Sequence, residues 1–195
     1  MNYTIYKKII DQYNQPKNIL TIWQIKSIIG LILIYKLLSR DFSNFSYWPN
    51  EALMGWPFDI YSSGYIYLTG IPIVFDLATF HFIHFFLSLP GAEVLLFLQK
   101  FLMLLTFLFI ISPIKYSRVL SISVYILCMY LWGYTYRSGQ DIDAMFLIQG
   151  SLFIFIFTKY NKKSPTLYSG QIYSGVLVIF IIYYFFSGLN KFVDI

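Results

Sequence analysis

The sequence predicts an all-α fold, a polytopic bundle of transmembrane helices, and three observations predict it. Of 195 residues, 58% are hydrophobic and only 12% are charged, against about 25% charged in soluble domains. Five apolar runs approach the length of about 20 residues that a spanning helix needs. The cationic residues gather mostly in the connections between those runs. The aromatic share of 22%, from 20 Phe, 18 Tyr and 4 Trp, is more than a soluble fold of this size can cover. A bilayer removes the difficulty by taking the place of water.

The length suits one domain. Residues 1–18 are polar and mixed in charge and read as a short cytoplasmic segment. The run after them lacks a small-x-small cleavage site, so it is expected to remain as an anchor. The expected spans are Ile19 to Leu38, Glu93 to Ser112, Ser117 to Tyr136, Ile142 to Thr158 and Ser169 to Gly188. None alternates as a strand does, and an open sheet edge in lipid would leave backbone groups unpaired.

A further run, Tyr65 to Leu89, contains Pro72, Asp76, His81 and His84. Five spans bring Lys7, Lys8 and Lys17, Lys115 and Arg118, and Lys159, Lys162 and Lys163 to one side, which the excess of cations makes cytoplasmic. Asp41, Glu51, Asp59, Asp76, Asp141, Asp143 and Asp194 then fall on the other. Residues 65–89 are accordingly read as an interfacial or re-entrant piece on the outer face, its Phe80, Phe82, Phe85 and Phe86 suited to the headgroup boundary. Six spans are the alternative. The expected location is the cell (inner) membrane, multi-pass, with the N-terminus cytoplasmic. A composition heavy in Ile, Asn, Lys, Tyr and Phe suggests an AT-rich bacterial genome.

The formal net charge of +5 is accounted for by topology, and no nucleic-acid signature is present. Phosphate-binding glycine loops, nucleophile elbows and zinc-finger spacings are absent as well. The single cysteine, Cys128, lies in an apolar run and argues against a thiol-dependent redox subunit.

Ionisable groups at membrane depth carry the candidate chemistry. Lys191 follows the aromatic stretch Tyr183-Tyr184-Phe185-Phe186. It is either a lysine snorkelling at a helix end or a desolvated amine able to act as a base, with Gly188 admitting a close neighbour. Asp76, His81 and His84 contain a His pair three apart and form a candidate metal set; the plainer reading is polar residues facing headgroups. Lys36 is near a span end. Lys26 and Lys100 lie deeper, where each would face the bundle interior and pair with an acid or a carbonyl. Arg137, Asp141 and Asp143 form an outer turn that is either solvated or lines the same outward-facing pocket as Lys191.

At the last span the chain resembles a known family, the horizontally transferred transmembrane (HTTM) domain, related to the membrane part of the vitamin K-dependent gamma-carboxylases. Gly170-Gln171-Ile172 opens that helix, and Phe185-Phe186-Ser187-Gly188-Leu189-Asn190-Lys191-Phe192 closes it, as the family's aromatic-x-small-Gly-aliphatic-x-Lys-apolar pattern does. Tyr116-Ser117-Arg118 and the Asn50-Glu51 to Gly55-Trp56-Pro57 loop are similar more loosely. The resemblance implies an HTTM-like domain over 19–195, truncated at the C-terminus relative to the family. It implies Lys191 as a catalytic base and a quinone as candidate cofactor. Where the carboxylases have a histidine at the start of the fourth span, this chain has Asp141 and Asp143. Peptide carboxylation is not expected without the family's soluble domain.

The expected function is a membrane protein handling a quinone or lipid-like ligand near Lys191. The alternative is a non-enzymatic partner of another membrane protein, in assembly, peptide-toxin export or immunity.

Overall fold

The computed structural model describes Lys7, Asp11 and residues 13–47, 79–137 and 142–193; for 135–137, 142–144 and 186–193 it describes the backbone alone. Among the described residues every regular element is helical. Helix α1 is Ile19–Leu38, followed by a 3₁₀ segment, Phe42–Tyr47. A short helix α2 covers 79–86. Helix α3 is Ala92–Ile111; a 3₁₀ turn, Ile114–Tyr116, leads into α4, Ser117–Arg137. Helices α5, Ile142–Phe157, and α6, Pro165–Val193, complete the order.

Each long helix turns a narrow stripe inward. In α3 the buried residues are Leu95, Gln99, Leu102, Thr106 and Phe109, spaced by four and three, the period of a packed helix face. In α4 Ser117, Ser121, Val124, Cys128 and Leu131 follow the same spacing. Outside the stripes the helices stay apolar: Leu31, Tyr35, Phe97, Leu104, Val119 and Ile126 are all exposed. Only 28–33% of each span is buried within the fold, so most of its apolar surface requires lipid.

Four helices are long and apolar enough to cross a membrane. The fifth expected span, α5, has 16 residues, about 24 Å at 1.5 Å per residue. It is apolar but short of a hydrocarbon core of about 30 Å. Of the further run, residues 65–78 lie outside the described residues. The part that is described, α2, is two turns long, too short by itself to cross; Phe82, Phe85 and Phe86 are exposed on it.

Long helices successive in the chain alternate in direction, so α1 and α6, whose starts meet, run parallel. Helices α5 and α6 show the register in detail: Phe146 meets Tyr183, Gly150 meets Ile179, and Ile154 meets Gly175. A Cβ on Gly150 would lie 2.8 Å from Ile179, and one on Gly175 would lie 2.7 Å from Ile154. Each helix therefore gives a glycine to receive the other's isoleucine, the small-residue packing that lets backbones approach in a membrane.

Helices α1 and α3 also run antiparallel, and each closes the end of the other. Lys26 on α1 is fully buried; its Nζ donates to the Ser112 carbonyl (2.6 Å) at the C-terminus of α3 and to Ser112 Oγ (3.3 Å). The Trp23 and Phe109 rings flank the ammonium at 4.6 and 5.3 Å. A cation at a helix C-terminus complements the partial negative charge there. Gln99 on α3 does the reciprocal work. Its Nε2 donates to the Leu37 and Arg40 carbonyls, both at 2.6 Å, and its Oε1 accepts from the Phe42 N–H at 3.2 Å. Lys26 thus pairs with a carbonyl, as expected of it, whereas Lys100 is exposed.

The N-terminal strap, residues 13–18, ties α1 to α6. Lys17 N donates to Thr166 O, Ser169 Oγ to Asn18 O, and Gln171 Nε2 to Asn14 Oδ1. Asn18 also caps α1 by accepting from Leu20 N at 3.0 Å. Gly170 lies under this crossing, and a Cβ there would strike the Gln15 carbonyl. Gly170 thus gives clearance, Gln171 makes a strap bond, and Ile172 fills a core position.

The alternation brings Lys17, Lys115, Arg118, Lys159, Lys162 and Lys163 to one end of the bundle. The opposite end holds α2, Asp41 and Glu93 together with Lys36 and Arg40.

Gln99→Leu leaves the Leu37 and Arg40 carbonyls and the Phe42 N–H without their partner. It is expected to lower stability by about 2–3 kcal/mol, whereas the neighbouring Lys100→Leu changes it by less than about 0.5 kcal/mol. Thermal unfolding of the two variants in the same detergent measures the difference.

Candidate functional site

Helix α2 precedes α3 in the chain and rests on the C-terminal part of α4. Phe80 and His84, four apart, share one face of α2, as Tyr130 and Tyr134 share one face of α4. The two faces meet. Tyr130 OH lies 3.1 Å from His84 Nε2 and 3.0 Å from Tyr134 OH, and Tyr134 OH lies 3.2 Å from the same Nε2. On its other side the imidazole sets Nδ1 3.2 Å from the Leu87 carbonyl.

Apolar rings hold this triangle in place. Phe80, fully buried, meets Tyr134 edge-on at 4.7 Å and the His84 ring at 4.6 Å. From the 3₁₀ segment Phe45 covers Tyr134 at 5.8 Å, and Phe42 packs edge-on against Trp132 at 5.4 Å. The cap Gln99 provides at the end of α1 therefore also positions the segment that backs Tyr134.

A carbonyl can only accept, so the Leu87 contact places the imidazole proton on Nδ1 and leaves the Nε2 lone pair facing the two phenols. Loss of solvent lowers the His84 pKa below its usual 6.5, and the Leu87 and Ser88 carbonyls pull weakly the other way. The ring is neutral at pH 7.

Beside the triangle a cavity of about 540 Å³ opens between α3 and α4. Leu98, Phe101 and Leu105 line one wall, Ile126 and Leu127 the other, and His84 and Tyr130 stand at one end. From Val94 to Leu105 the α3 wall runs about 16 Å at 1.5 Å per residue. Ligand sites of this size are mostly apolar, with a few polar groups that set orientation. This one is long, apolar and polar at one end.

The residues singled out from the sequence fall differently. His84 is in the site, bonded to two tyrosines; His81 packs edge-on against Phe80 at 5.8 Å. Asp76 lies outside the described residues, and among those described no group of three His, Cys, Asp or Glu side chains is arranged to hold a metal. Asp141 also lies outside them. For Arg137, Asp143, Gly188 and Lys191 only the backbone is described. Arg137 ends α4, Asp143 is in the first turn of α5, and Gly188 and Lys191 are in the last turns of α6. The α5–α6 register carries those last turns toward the start of α5, the end of the bundle where His84 lies.

Tyr130 and Tyr134 were not among the residues singled out. Their signal is the spacing Tyr-x-x-x-Tyr inside an apolar run, which puts two hydroxyls on one helix face, each needing a partner once buried.

Fold and site together define a helical membrane protein with a polar-ended groove between two of its spans. No family model matches the chain, and neither a curated protein nor a solved structure does.

The fold holds His84 neutral, so its contribution is whole above the ordinary pKa of 6.5 and is lost as the pH falls through that value toward the lower folded one. The wild type should therefore be more stable than His84→Phe near neutral pH. That advantage should shrink as the pH drops below 6.5, which paired melting curves across pH measure.

Proposed function

We propose that this protein binds a lipid-like amphiphile, with isoprenoid quinones among the candidates, in the groove between α3 and α4. The head would lie at His84 and Tyr130 and the chain along Leu98, Phe101 and Leu105. The observation that carries the reading is the groove's polarity: two convergent polar groups at one end, and a long apolar trough beyond them. Exposed Val94, Phe101 and Ile126 on its rim give a ligand dissolved in the bilayer a direct way in, without crossing water.

The HTTM resemblance supplies the second element of the proposal, Lys191 as a base. The last turns of α6 lie at the same end of the bundle as the His84 triangle, with α6 packed on α1 and α5. A near-neutral amine in a dry setting takes a proton from a hydroxyl. The groove alone supports binding; proton removal rests on Lys191.

The proposed setting is the cell (inner) membrane with the N-terminus cytoplasmic. Its support is the cation-rich end formed by Lys17, Lys115, Arg118 and Lys159 to Lys163.

Two experiments test these proposals. Protein purified in nanodiscs should carry an amphiphile detectable by native mass spectrometry. Leu98→Trp, which fills the trough, should remove it, and Lys191→Ala should leave it bound while abolishing any turnover. Folded wild-type protein that takes up no chain-bearing ligand rejects the binding proposal. For orientation, single cysteines at positions 115 and 163, placed in a Cys128→Ala background, should both be labelled only from the cytoplasmic face. Labelling from opposite faces rejects the topology.

A further inference from the structure

The hydrogen atoms of the triangle can be counted. His84 Nδ1 points at the Leu87 carbonyl, so Nε2 offers one lone pair and no proton. The two phenols have one hydrogen each. One of them goes to Nε2, and the other goes to the neighbouring phenol oxygen; the 3.0, 3.1 and 3.2 Å separations allow either order. Both hydrogens are used inside the triangle in each arrangement. Tyr130, which lines the groove, therefore keeps an oxygen lone pair that the triangle does not use.

From this count we infer that the groove selects amphiphiles whose head donates a hydrogen bond, an alcohol or a phenol, over heads that only accept, such as a ketone, an ether or a fully oxidised quinone. The inference rests on the groove being a binding site, as proposed above. A donor head adds a bond to Tyr130 and disturbs nothing. At the triangle an acceptor head is served only by turning a phenol hydrogen away from its partner, which breaks one bond to make another. The serines do not alter the preference: Ser123 Oγ donates to the Val119 carbonyl, and the exposed Ser88 hydroxyl, which both donates and accepts, serves either kind of head alike.

The geometry also assigns separate roles. Tyr130 is the group that meets the head. Tyr134, 1% exposed and absent from the groove wall, is a positioning residue that occupies the remaining hydrogen. His84 is the sink that keeps both hydrogens turned inward. Replacing His84 by a ring without a lone pair frees one phenol hydrogen for the groove, so the preference should move toward acceptors.

The probes are a para-alkylphenol and its methyl ether, alike in chain and ring, titrated into the full chain in nanodiscs. The phenol is expected to bind roughly tenfold more tightly, the effect of one hydrogen bond in a dry site. Tyr130→Phe should bring the two affinities together. His84→Phe should narrow or reverse the ratio through tighter binding of the ether. Equal binding of both probes to the wild type overturns the inference and leaves the groove a binding site; binding of neither overturns both. If Tyr130→Phe fails to fold, the His84→Phe ratio decides: an unchanged preference for the phenol overturns the inference.

Discussion

Helix ends inside a low-dielectric medium have no water to satisfy their last carbonyls, and most of this structure follows from how the chain meets that demand. Lys26 and Gln99 each stand eighth in a 20-residue helix. Each reaches the C-terminal end of the other's helix, one with an ammonium and one with an amide. Neither residue suits the interior of an apolar helix by itself. Side by side and antiparallel, they turn two polar liabilities into two caps and fix the depth at which α1 and α3 lie against each other.

That fixed depth extends to the candidate site. Gln99 holds the Phe42 N–H, and Phe42 begins the 3₁₀ segment whose Phe45 backs Tyr134. The far wall of the groove is α3 itself. A change in the packing of α1 on α3 would therefore move both the back of the tyrosine triangle and the trough beside it. The aromatic rings form a stiff frame, so the short polar contacts within it are held by packing as well as by hydrogen bonding.

The spans were legible because a bilayer imposes one coarse rule on sequence: about 20 apolar residues, interrupted by charged connections. The depth of Lys26 and its need for an acid or a carbonyl as partner were legible for the same reason. Its partner was not, because Ser112 is 86 residues away and nothing local in either segment marks the pairing. Tyr130 and Tyr134 were hidden likewise: their partner His84 lies on a different element, and in isolation the pair resembles ordinary interfacial tyrosines. Gly170-Gln171-Ile172 stood out through family likeness, and what those residues do locally is give clearance, hold the strap and pack the core. α5 followed the expected position and returns the chain to the cation-rich end, but with 16 residues it is shorter than the four helices that are long enough to cross on length alone.

The strap across α6 has a consequence for biogenesis. Asn18 and Ser169 are 151 residues apart, and Asn14 and Gln171 are 157 apart. During synthesis the first helix is made long before the surface on which its leading residues dock. Until α6 emerges, the strap's polar groups must be satisfied by water or headgroups. The bundle therefore closes as a ring, at a seam that joins segments 151 residues apart in the chain. Substitutions along that seam would act late, after the earlier spans have inserted, and would leave a bundle that is embedded but unsealed.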